Sequence, residues 1–326
     1  MSPLKYYLVV DVGATYTRVG LGCRDGLIDK KVFNTPRSGD RYTIAETIYH
    51  VILENYREYL DKVERIGIAT IGPLDLRRGR VVGTPNIPIH EFDLLEPLRR
   101  YLGKPVYVLN DAVAGVYGEK MFGAGREYEN LVYVTLSTGV GGGVIVDNHL
   151  LLGKNGNAHE IGHMVVKYDS RIRCGCGGYG HWEAYAGGAN IPRLAEILAH
   201  DHPEIDTPCK RDALSKKLDP PKLFKYYREG DRFAEIVVNE IIDACIAGFA
   251  TIINMYDPEL VTIGGSVFLN NKDILLKPIV EDVEKHLVTS KPLIKPTPLG
   301  GDIVLYGALA LAINPPQHLV KIQSGV

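Results

Sequence analysis

Short, continuous runs of apolar residues recur along the chain and predict β-strands that are buried on both faces. The first run, Tyr6 to Asp11, ends in an acid and is followed after a glycine turn by a second strand, Thr15 to Gly22. The same order of strand, Gly/Thr turn and strand returns from Asn130 to Val146. Further strands are predicted at Gly26 to Asn34, Arg65 to Ile71, Pro105 to Leu109 and His149 to Leu152. We interpret the return of the pattern, about 125 residues later, as an internal duplication.

Apolar residues at helical spacing predict helices between and after these strands. The predicted helices are Tyr42 to Leu60, Gly187 to His200, Phe233 to Tyr256 and Ile303 to Ile313, with short polar helices over 206–228 that Pro220-Pro221 interrupts. Strands that alternate with helices predict an α/β fold, and such folds bind ligands at the carboxyl ends of their parallel strands.

Composition narrows the class of partner. A chain of 326 residues with 45% hydrophobic and 23% charged residues is typical of a soluble protein of two domains. The balance of 37 basic against 39 acidic residues gives no electrostatic argument for nucleic acid or an anionic membrane, so we expect a small-molecule partner. Five cysteines without a signal-like N-terminus indicate a reducing compartment, and we expect the cytoplasm. No apolar run reaches the ~18 residues that a membrane span needs.

The turn after the first strand is a candidate phosphate site. It gathers Asp11, Gly13, Thr15 and Thr17 around one loop. Backbone N–H groups and hydroxyls there can bind phosphate, while Asp11 can hold Mg²⁺ through water. A plain hairpin is the alternative interpretation.

The stretch from Ala158 to Glu183 is a candidate metal site because it combines soft donors with many glycines. His163, Cys174, Cys176 and His181 are nitrogen and sulfur donors that suit a tetrahedral zinc ion. Their spacing fits no generic zinc-finger pattern. A disulfide or a pair of buried thiols therefore stays open as an alternative.

Asn110 and Asp111 follow a predicted strand and precede a helix that begins near Ala112. A carboxylate at this place can accept a proton from a bound hydroxyl, so Asp111 is a candidate general base. An aspartate also caps helices well. Both roles are compatible at one position.

Several motifs together resemble a known family. The segments E-I-G-H, from Glu160 to His163, and C-G-C-G-G-Y-G-H-W-E, from Cys174 to Glu183, resemble the signature of the ROK family of sugar kinases and repressors. In that family C-x-C-G-x-x-G-C-x-E follows E-x-G-H, so His181 stands where the family has its third cysteine. The segments D-V-G-A-T-Y-T-R, L-S-T-G-V-G-G-G and L-V-T-I-G-G-S-V resemble the phosphate and adenosine motifs of the actin, sugar kinase and Hsp70 fold.

The resemblance implies a two-lobed actin-like ATPase fold, related to ribonuclease H, with a duplicated β-β-β-α-β-α core and a central cleft. The N-terminal lobe would be discontinuous, comprising residues 1–112 and about 304–326. The C-terminal lobe would comprise residues 113–303 and contain the sugar and zinc segment 158–183. A homodimer is compatible with this resemblance.

The resemblance also implies roles for individual residues. ATP and its phosphates would be bound by Asp11, Gly13, Ala14, Thr15, Tyr16, Thr17, Arg18, Thr138, Gly139, Gly264, Gly265 and Ser266, with Mg²⁺ near Asp11. The sugar would be bound by Asn110, Asp111, Glu160, His163, Glu183, Gly72, Thr84, Asn86 and Gly139. His163 would give one ring nitrogen to zinc and the other to a sugar hydroxyl.

The expected activity is that of an ATP-dependent hexokinase acting on the 6-hydroxyl of glucose and related hexoses (mannose, glucosamine or N-acetylglucosamine), with Asp111 as general base. One alternative is a kinase dedicated to N-acetylmannosamine or N-acetylglucosamine. Another is a non-catalytic, sugar-responsive ROK repressor or sensor. Only about five residues precede the first strand, too few for a helix-turn-helix module, and this disfavours the repressor.

Overall fold

The computed structural model describes residues 5–84 and 87–324, so Asn86 lies outside the described residues. The chain divides into two compact units. Unit 1 comprises Met1–Glu129, Gly143–His159 and Thr297–Val326, and unit 2 comprises Asn130–Gly142 and Glu160–Pro296. The sequence analysis expected residues 113–303 in the C-terminal lobe. Three parts of that range, residues 113–129, 143–159 and 297–303, belong to unit 1.

The strands are β1 (Tyr6–Val12), β2 (Tyr16–Cys23), β3 (Gly26–Asn34), β4 (Val63–Thr70), β5 (Leu74–Asp75), β6 (Arg80–Val81), β7 (Phe92–Asp93), β8 (Val106–Asn110), β9 (Leu131–Leu136), β10 (Val140–Val146), β11 (His149–Leu150), β12 (Leu260–Gly264) and β13 (Leu293–Pro296). The helices are α1 (Thr43–Tyr56), α2 (Leu95–Leu102), α3 (Asp111–Met121), α4 (Trp182–Ala186), α5 (Ile191–Asp201), α6 (Pro208–Leu214), α7 (Pro220–Arg228), α8 (Arg232–Tyr256), α9 (Ser266–Leu269), α10 (Lys272–Asp282), α11 (Ile303–Ile313) and α12 (Gln317–Gln323).

The main sheet of unit 1 has the strand order β3-β2-β1-β4-β8. Strands β1, β4 and β8 are parallel, and their register pairs Val12 with Thr70 and Thr70 with Asn110. The carboxyl ends of the three strands therefore meet at one edge of the sheet, where α/β folds bind ligands. A smaller sheet, β5-β6-β7, follows the end of β4.

Helix α11 packs against this sheet and against α3 with very short distances between the backbones. A Cβ atom added to Gly67 of β4 would lie 1.9 Å from the Ala308 carbonyl oxygen, and one added to Gly307 would lie 2.0 Å from the Ala114 carbonyl oxygen. Only glycine permits so close an approach of two backbones. The helix thereby holds β4 and α3 in fixed positions relative to each other.

The second sheet has the strand order β11-β10-β9-β12-β13, with β9, β12 and β13 parallel. It repeats the hairpin followed by parallel strands of the first sheet, as the duplicated sequence pattern predicts. Helix α8 is the core helix of unit 2. It is long and apolar enough to span a membrane, but 67% of its most apolar stretch of 18 residues is buried inside the protein.

The predicted short helices over 206–228 are α6 and α7, and the Pro220-Pro221 pair stands at the break between them, where it begins α7. Asp219 accepts a hydrogen bond from the Lys222 backbone N–H, at 2.9 Å, and so caps the helix. Proline is favoured in the first turn because its missing N–H would have no partner there.

Candidate active site

The loop between β1 and β2 is braced from within unit 1. The Thr35 hydroxyl donates to the Gly13 carbonyl oxygen at 2.7 Å and lies 2.9 Å from the Thr17 hydroxyl. Thr17 is fully buried, whereas Thr15 and Tyr16 are exposed at the tip of the loop. A Cβ atom on Gly13 would lie 2.9 Å from the Tyr16 carbonyl oxygen, which explains the glycine. The exposed part of the loop, Gly13 to Tyr16, is thus held in one shape by Thr17 and Thr35.

Asp11 is a buried carboxylate at the start of this loop. Its Oδ2 accepts a hydrogen bond from Arg18 Nη1 at 3.1 Å, and the same nitrogen donates to the Gly301 carbonyl oxygen at 3.0 Å. Burial raises the pKa of Asp11 to about 7, Arg18 opposes that rise, and the carboxylates of Asp111 and Asp302 add to it. These three carboxylates are accompanied by two cations, Arg18 and the Lys30 ammonium, which lies 2.6 Å from Asp302 Oδ2, and the remaining excess of negative charge favours binding of a further cation. Oxygen donors of this kind suit Mg²⁺.

Asn110 and Asp111 form the junction of β8 and α3. Asn110 is the N-cap, since its Oδ1 accepts from the backbone N–H of Ala112 at 2.9 Å and of Val113 at 3.4 Å. Asp111 is the first residue of the helix and its Oδ1 accepts from the Ala112 N–H at 2.8 Å. The structure therefore gives the cap to Asn110 and places the half-buried Asp111 carboxylate at the positive end of the helix dipole.

Gly72 lies beside Asn110, because a Cβ atom added to Gly72 would be 3.4 Å from Asn110 Nδ2. Thr84 is fully buried in the same unit. Its backbone N–H donates to the His90 carbonyl oxygen at 3.0 Å, and its carbonyl oxygen accepts from His90 Nδ1 at 2.9 Å. Gly72 therefore belongs to the β8–α3 junction, while Thr84 fixes a turn of the chain.

His163, Cys174, Cys176 and His181 come together in unit 2, with one donor atom of each lying within 4.8 Å of every other. Cys174 Sγ lies 3.9 Å from His163 Nδ1, and Cys176 Sγ lies 3.3 Å from His181 Nδ1. Donors on a tetrahedral zinc ion, with bonds of about 2.0–2.3 Å, are roughly 3.3–3.8 Å apart. The donor set therefore fits zinc.

The two cysteines are free thiols, so the alternative of a disulfide is wrong. A glycine turn holds them side by side: the Cys174 N–H donates to the Gly178 carbonyl oxygen at 2.8 Å, and the Gly177 N–H donates to the Cys174 carbonyl oxygen at 2.9 Å. Gly177 has φ +99°, a conformation that other residues rarely adopt. Burial raises the pKa of the Cys174 thiol to about 12. Binding of a cation must therefore displace its proton.

Glu183 connects the metal cluster with the β9–β10 hairpin. One carboxylate oxygen accepts from the Val140 N–H at 3.0 Å, and the other accepts from Cys174 Sγ at 3.6 Å. A Cβ atom on Gly139 would lie 2.4 Å from Glu183 Oε2, so a larger residue there would displace the Glu183 carboxylate. Glu160 Oε2 lies 3.7 Å from His163 Nε2. Glu160, His163 and Glu183 are therefore neighbours of one another around the cluster.

A cleft of about 420 Å³ lies in unit 2 beyond the hairpin. It is lined by Ser137, Thr138, Gly188, Ala189, Pro220, Pro221, Arg228, Ser266, Val267, Asn270 and Asn271. Gly265, at φ +87°, begins one wall, and a Cβ atom there would lie 2.3 Å from the Leu136 carbonyl oxygen. Its size and mixed lining are those of a small-molecule site.

The sequence patterns predicted Thr138 and Ser266 in this cleft and missed the rest of its lining. Arg228 is oriented by Asp273, with Nη2 and Oδ1 3.0 Å apart, and by Asn271 Oδ1 at 3.2 Å. The Gly187-Gly188 pair was the one sequence signal for the opposite side, since the Gly188 N–H donates to the Ser137 carbonyl oxygen at 2.8 Å. Arg228 comes from a separate helix and carried no such signal.

Comparisons with known proteins agree with this geometry. The sequence profile of the ROK family matches residues 7–314. A glucokinase of Pyrobaculum calidifontis is 41% identical over 315 residues, which are 97% of each chain. The crystal structure of a ROK hexokinase from Thermus thermophilus has a TM-score of 0.81 at 32% identity, covering 94% of this chain and 97% of that one.

A ROK family glucokinase from Streptomyces griseus, solved in complex with glucose and AMPPNP, has a TM-score of 0.73 at 30% identity. The match covers 95% of this chain and 99% of that one. These structures confirm the predicted actin-like ATPase fold. Because the profile spans nearly the whole chain and a full-length relative is 41% identical, this protein belongs to the ROK family.

Proposed function

We propose that this protein is an ATP-dependent sugar kinase that transfers the γ-phosphoryl group of ATP to the 6-hydroxyl of glucose and closely related hexoses. The observation that carries the proposal is the junction of β8 and α3, where Asp111 follows the capping residue Asn110 at the edge that also carries Asp11. Relatives named glucokinase that span nearly the whole chain support glucose as the acceptor.

Asp111 is the proposed general base. As the 6-hydroxyl oxygen forms its bond to the γ-phosphorus and the bond to the β-phosphate oxygen breaks, the hydroxyl proton passes to the Asp111 carboxylate and ADP leaves. The N-terminus of α3 stabilises the negative charge that this role requires. Asn110 Nδ2, next to the Gly72 backbone, is placed to orient a sugar hydroxyl.

In this proposal the loop Gly13 to Tyr16 of unit 1 binds phosphate through its backbone N–H groups and the exposed Thr15 hydroxyl. Within unit 2, the Thr138-Gly139 turn is a second candidate for binding phosphate. Asp11 would hold Mg²⁺, and the ion would supply charge neutralisation for the phosphate oxygens. The buried Thr17 supports the first turn from behind, while Arg18 orients Asp11.

The nucleoside occupies the cleft of unit 2. Gly264 and Gly265 let the end of β12 pack closely against Tyr133 and Leu136, which shapes the wall of the cleft. Ser266 supplies a hydroxyl at that wall. Pro220, Pro221 and Val267 offer apolar surface of the kind that packs against a nucleobase.

Hydroxyls of the sugar ring are bound by Glu160, His163 and Glu183, whose acceptors can satisfy several hydroxyls at once. Zinc on Cys174, Cys176, His181 and His163 Nδ1 would supply a fixed orientation for the His163 ring. The Nε2 atom, which faces Glu160, is then free of the metal and available to the sugar. In unit 1, the residues that we assign to sugar binding beside Asn110 are Gly72, Thr84 and Asn86.

A coupled assay of ADP release with glucose, mannose, glucosamine, N-acetylglucosamine and N-acetylmannosamine tests the proposal. We expect the highest kcat/KM with glucose. A preference for N-acetylated sugars would favour the amino-sugar kinase instead. No ADP release with any of the five sugars would refute the kinase activity.

A further inference from the structure

Gln323, in the last turn of α12, is a buried polar residue that neither the motifs nor the proposed function uses. Its side chain is 2% exposed, and the residue is one of only two glutamines in the chain. The other, Gln317, is exposed at the start of the same helix. A glutamine buried this completely needs a partner for each of its polar atoms.

Three backbone groups supply those partners. The Val108 N–H donates to Gln323 Oε1 at 3.1 Å, and Gln323 Nε2 donates to the Val108 carbonyl oxygen at 2.8 Å and to the Leu76 carbonyl oxygen at 3.0 Å. The amide thus pairs with β8, which is the edge strand of its sheet, as a neighbouring strand would. It also ties that strand to the segment that follows Gly72.

Both segments lead to the proposed sugar site. Val108 is two residues before Asn110 on the same strand, and Leu76 is four residues after Gly72. The start of the second segment is fixed by the Ile71 N–H, which donates to the Val12 carbonyl oxygen at 3.1 Å. The Gln323 amide fixes its other end, so it controls the separation of the Gly72 loop from the β8–α3 junction.

Arg99 holds the helix end that carries Gln323. Its Nη1 donates to the Gln323 carbonyl oxygen at 2.8 Å, and its Nη2 donates to the Val106 carbonyl oxygen at 2.9 Å. The side-chain amide of Gln323 is therefore hydrogen-bonded directly to β8. Its main-chain carbonyl group is connected to β8 through the Arg99 guanidinium. Leu319, fully buried on the same helix, adds an apolar anchor.

We propose that Gln323 is a positioning residue for the sugar acceptor: it sets the distance between the Gly72 loop and the strand that presents Asn110 and Asp111. The inference rests on the proposed function, because it assumes that these segments bind the hexose. The hydrogen bonds of Gln323 go to Arg99, Val108 and Leu76 and not to the Gly13 to Tyr16 loop or the cleft of unit 2, so we expect binding of ATP to change little.

The test compares Gln323→Met, which keeps the length of the side chain and removes its hydrogen bonds, with Gln317→Met on the exposed face. Displacement of a reacting group by about 1 Å can reduce rates on the order of 100-fold, so we expect kcat/KM for glucose to fall by roughly 10- to 100-fold. The KM for ATP should stay within about twofold of wild type, as should every parameter of Gln317→Met.

Arg99→Met keeps the Gln323 amide and removes the guanidinium that joins the end of its helix to Val106 of β8, so it decides the question if Gln323→Met does not fold. We expect its KM for glucose to rise about threefold, the effect of one weakened hydrogen bond, with the KM for ATP unchanged. Kinetics that match Gln317→Met, or a KM for ATP that rises as much as the KM for glucose, would overturn the inference. Wild-type protein without glucose kinase activity would instead refute the proposed function.

Discussion

Asp111 and Asn110 show how far a motif can assign roles to single residues. The sequence placed both residues after a strand and left open whether Asp111 serves as base or as helix cap. In the structure Asn110 Oδ1 accepts from the N–H groups of Ala112 and Val113, and Asp111 Oδ1 also accepts from the Ala112 N–H. Asn110 is therefore the main cap, and the contact of Asp111 with the first turn is compatible with the base role that we propose.

Asp111→Asn is the direct test of the base. The substitution keeps size and hydrogen bonding but removes the negative charge, so we expect turnover with glucose to fall about 10² to 10⁴-fold. The KM for glucose should change much less, because the lost interaction belongs mainly to the transition state. Steady-state kinetics beside the exposed control Asp25→Asn provide the measurement. Turnover close to wild type would move the base to Glu160 or Glu183.

Other residue roles could not be read from the sequence because they depend on tertiary partners. Thr17 belongs to the segment D-V-G-A-T-Y-T-R, yet its hydroxyl is buried against Thr35, a residue outside that segment. Gln323 has no motif at all, and its partners lie more than 200 positions away on β8 and after β5. Local spacing carries no information about such pairs.

At the scale of elements, the glycine turn from Arg173 to Tyr179 and the helix α4 place the zinc donors. The four donors were predicted from residue type and from the family signature, and the structure brings them together. The geometry also explains how His181 can replace a cysteine, since its Nδ1 lies 3.3 Å from Cys176 Sγ. The spacing alone could not have established this proximity.

We predict one zinc ion per chain on His163, Cys174, Cys176 and His181. Cys174→Ser or removal of the metal by chelation should raise the KM for sugar more than the KM for ATP, because Glu183 and His163 lose their support. Elemental analysis and kinetics, with Cys23→Ala as a control in unit 1, give the readout. Absence of zinc from protein purified without chelator would refute the site.

Gly265 tests the nucleoside cleft. Its φ is +87°, and a Cβ atom added there would lie 2.3 Å from the Leu136 carbonyl oxygen, so Gly265→Ala is a strained substitution. Backbone strain of this kind costs about 1–3 kcal/mol, so we expect the KM for ATP to rise about tenfold while the KM for glucose changes little. Gly301→Ala is the control, since a Cβ there meets no atom within 4 Å. An unchanged KM for ATP would contradict the assignment of the cleft.

Strands were easier to predict than helix boundaries. Continuous apolar runs located β1, β4 and β8 to within a few residues, because burial on both faces leaves a plain signal. The predicted helix from Gly187 begins instead at Ile191. The N–H groups of Gly187 and Gly188 donate to the carbonyl oxygens of Glu183 and Ser137, so the two glycines precede the helix. Glycines that serve a close contact look the same in sequence as those that begin a helix.

At the scale of the whole molecule, the duplicated pattern of strand, turn and strand predicted two sheets of similar order, and both are present. The boundary between the two units falls after Gly142, in the middle of strand β10. A sequence pattern cannot indicate a boundary inside a strand. Likewise, α3 belongs to unit 1 because α11 packs against it across Gly307 and Gly118. That contact joins residues far apart in the chain.

The central claim is transfer of phosphate from ATP to the 6-hydroxyl of glucose. Its most direct test is ADP release measured with glucose and, in parallel, with 6-deoxyglucose, which keeps the ring hydroxyls and lacks the acceptor oxygen. We expect turnover with glucose, formation of glucose 6-phosphate in equal amount, and inhibition without turnover by 6-deoxyglucose. ADP release that proceeds equally with 6-deoxyglucose, or no release with glucose at saturating Mg²⁺ and ATP, would contradict it.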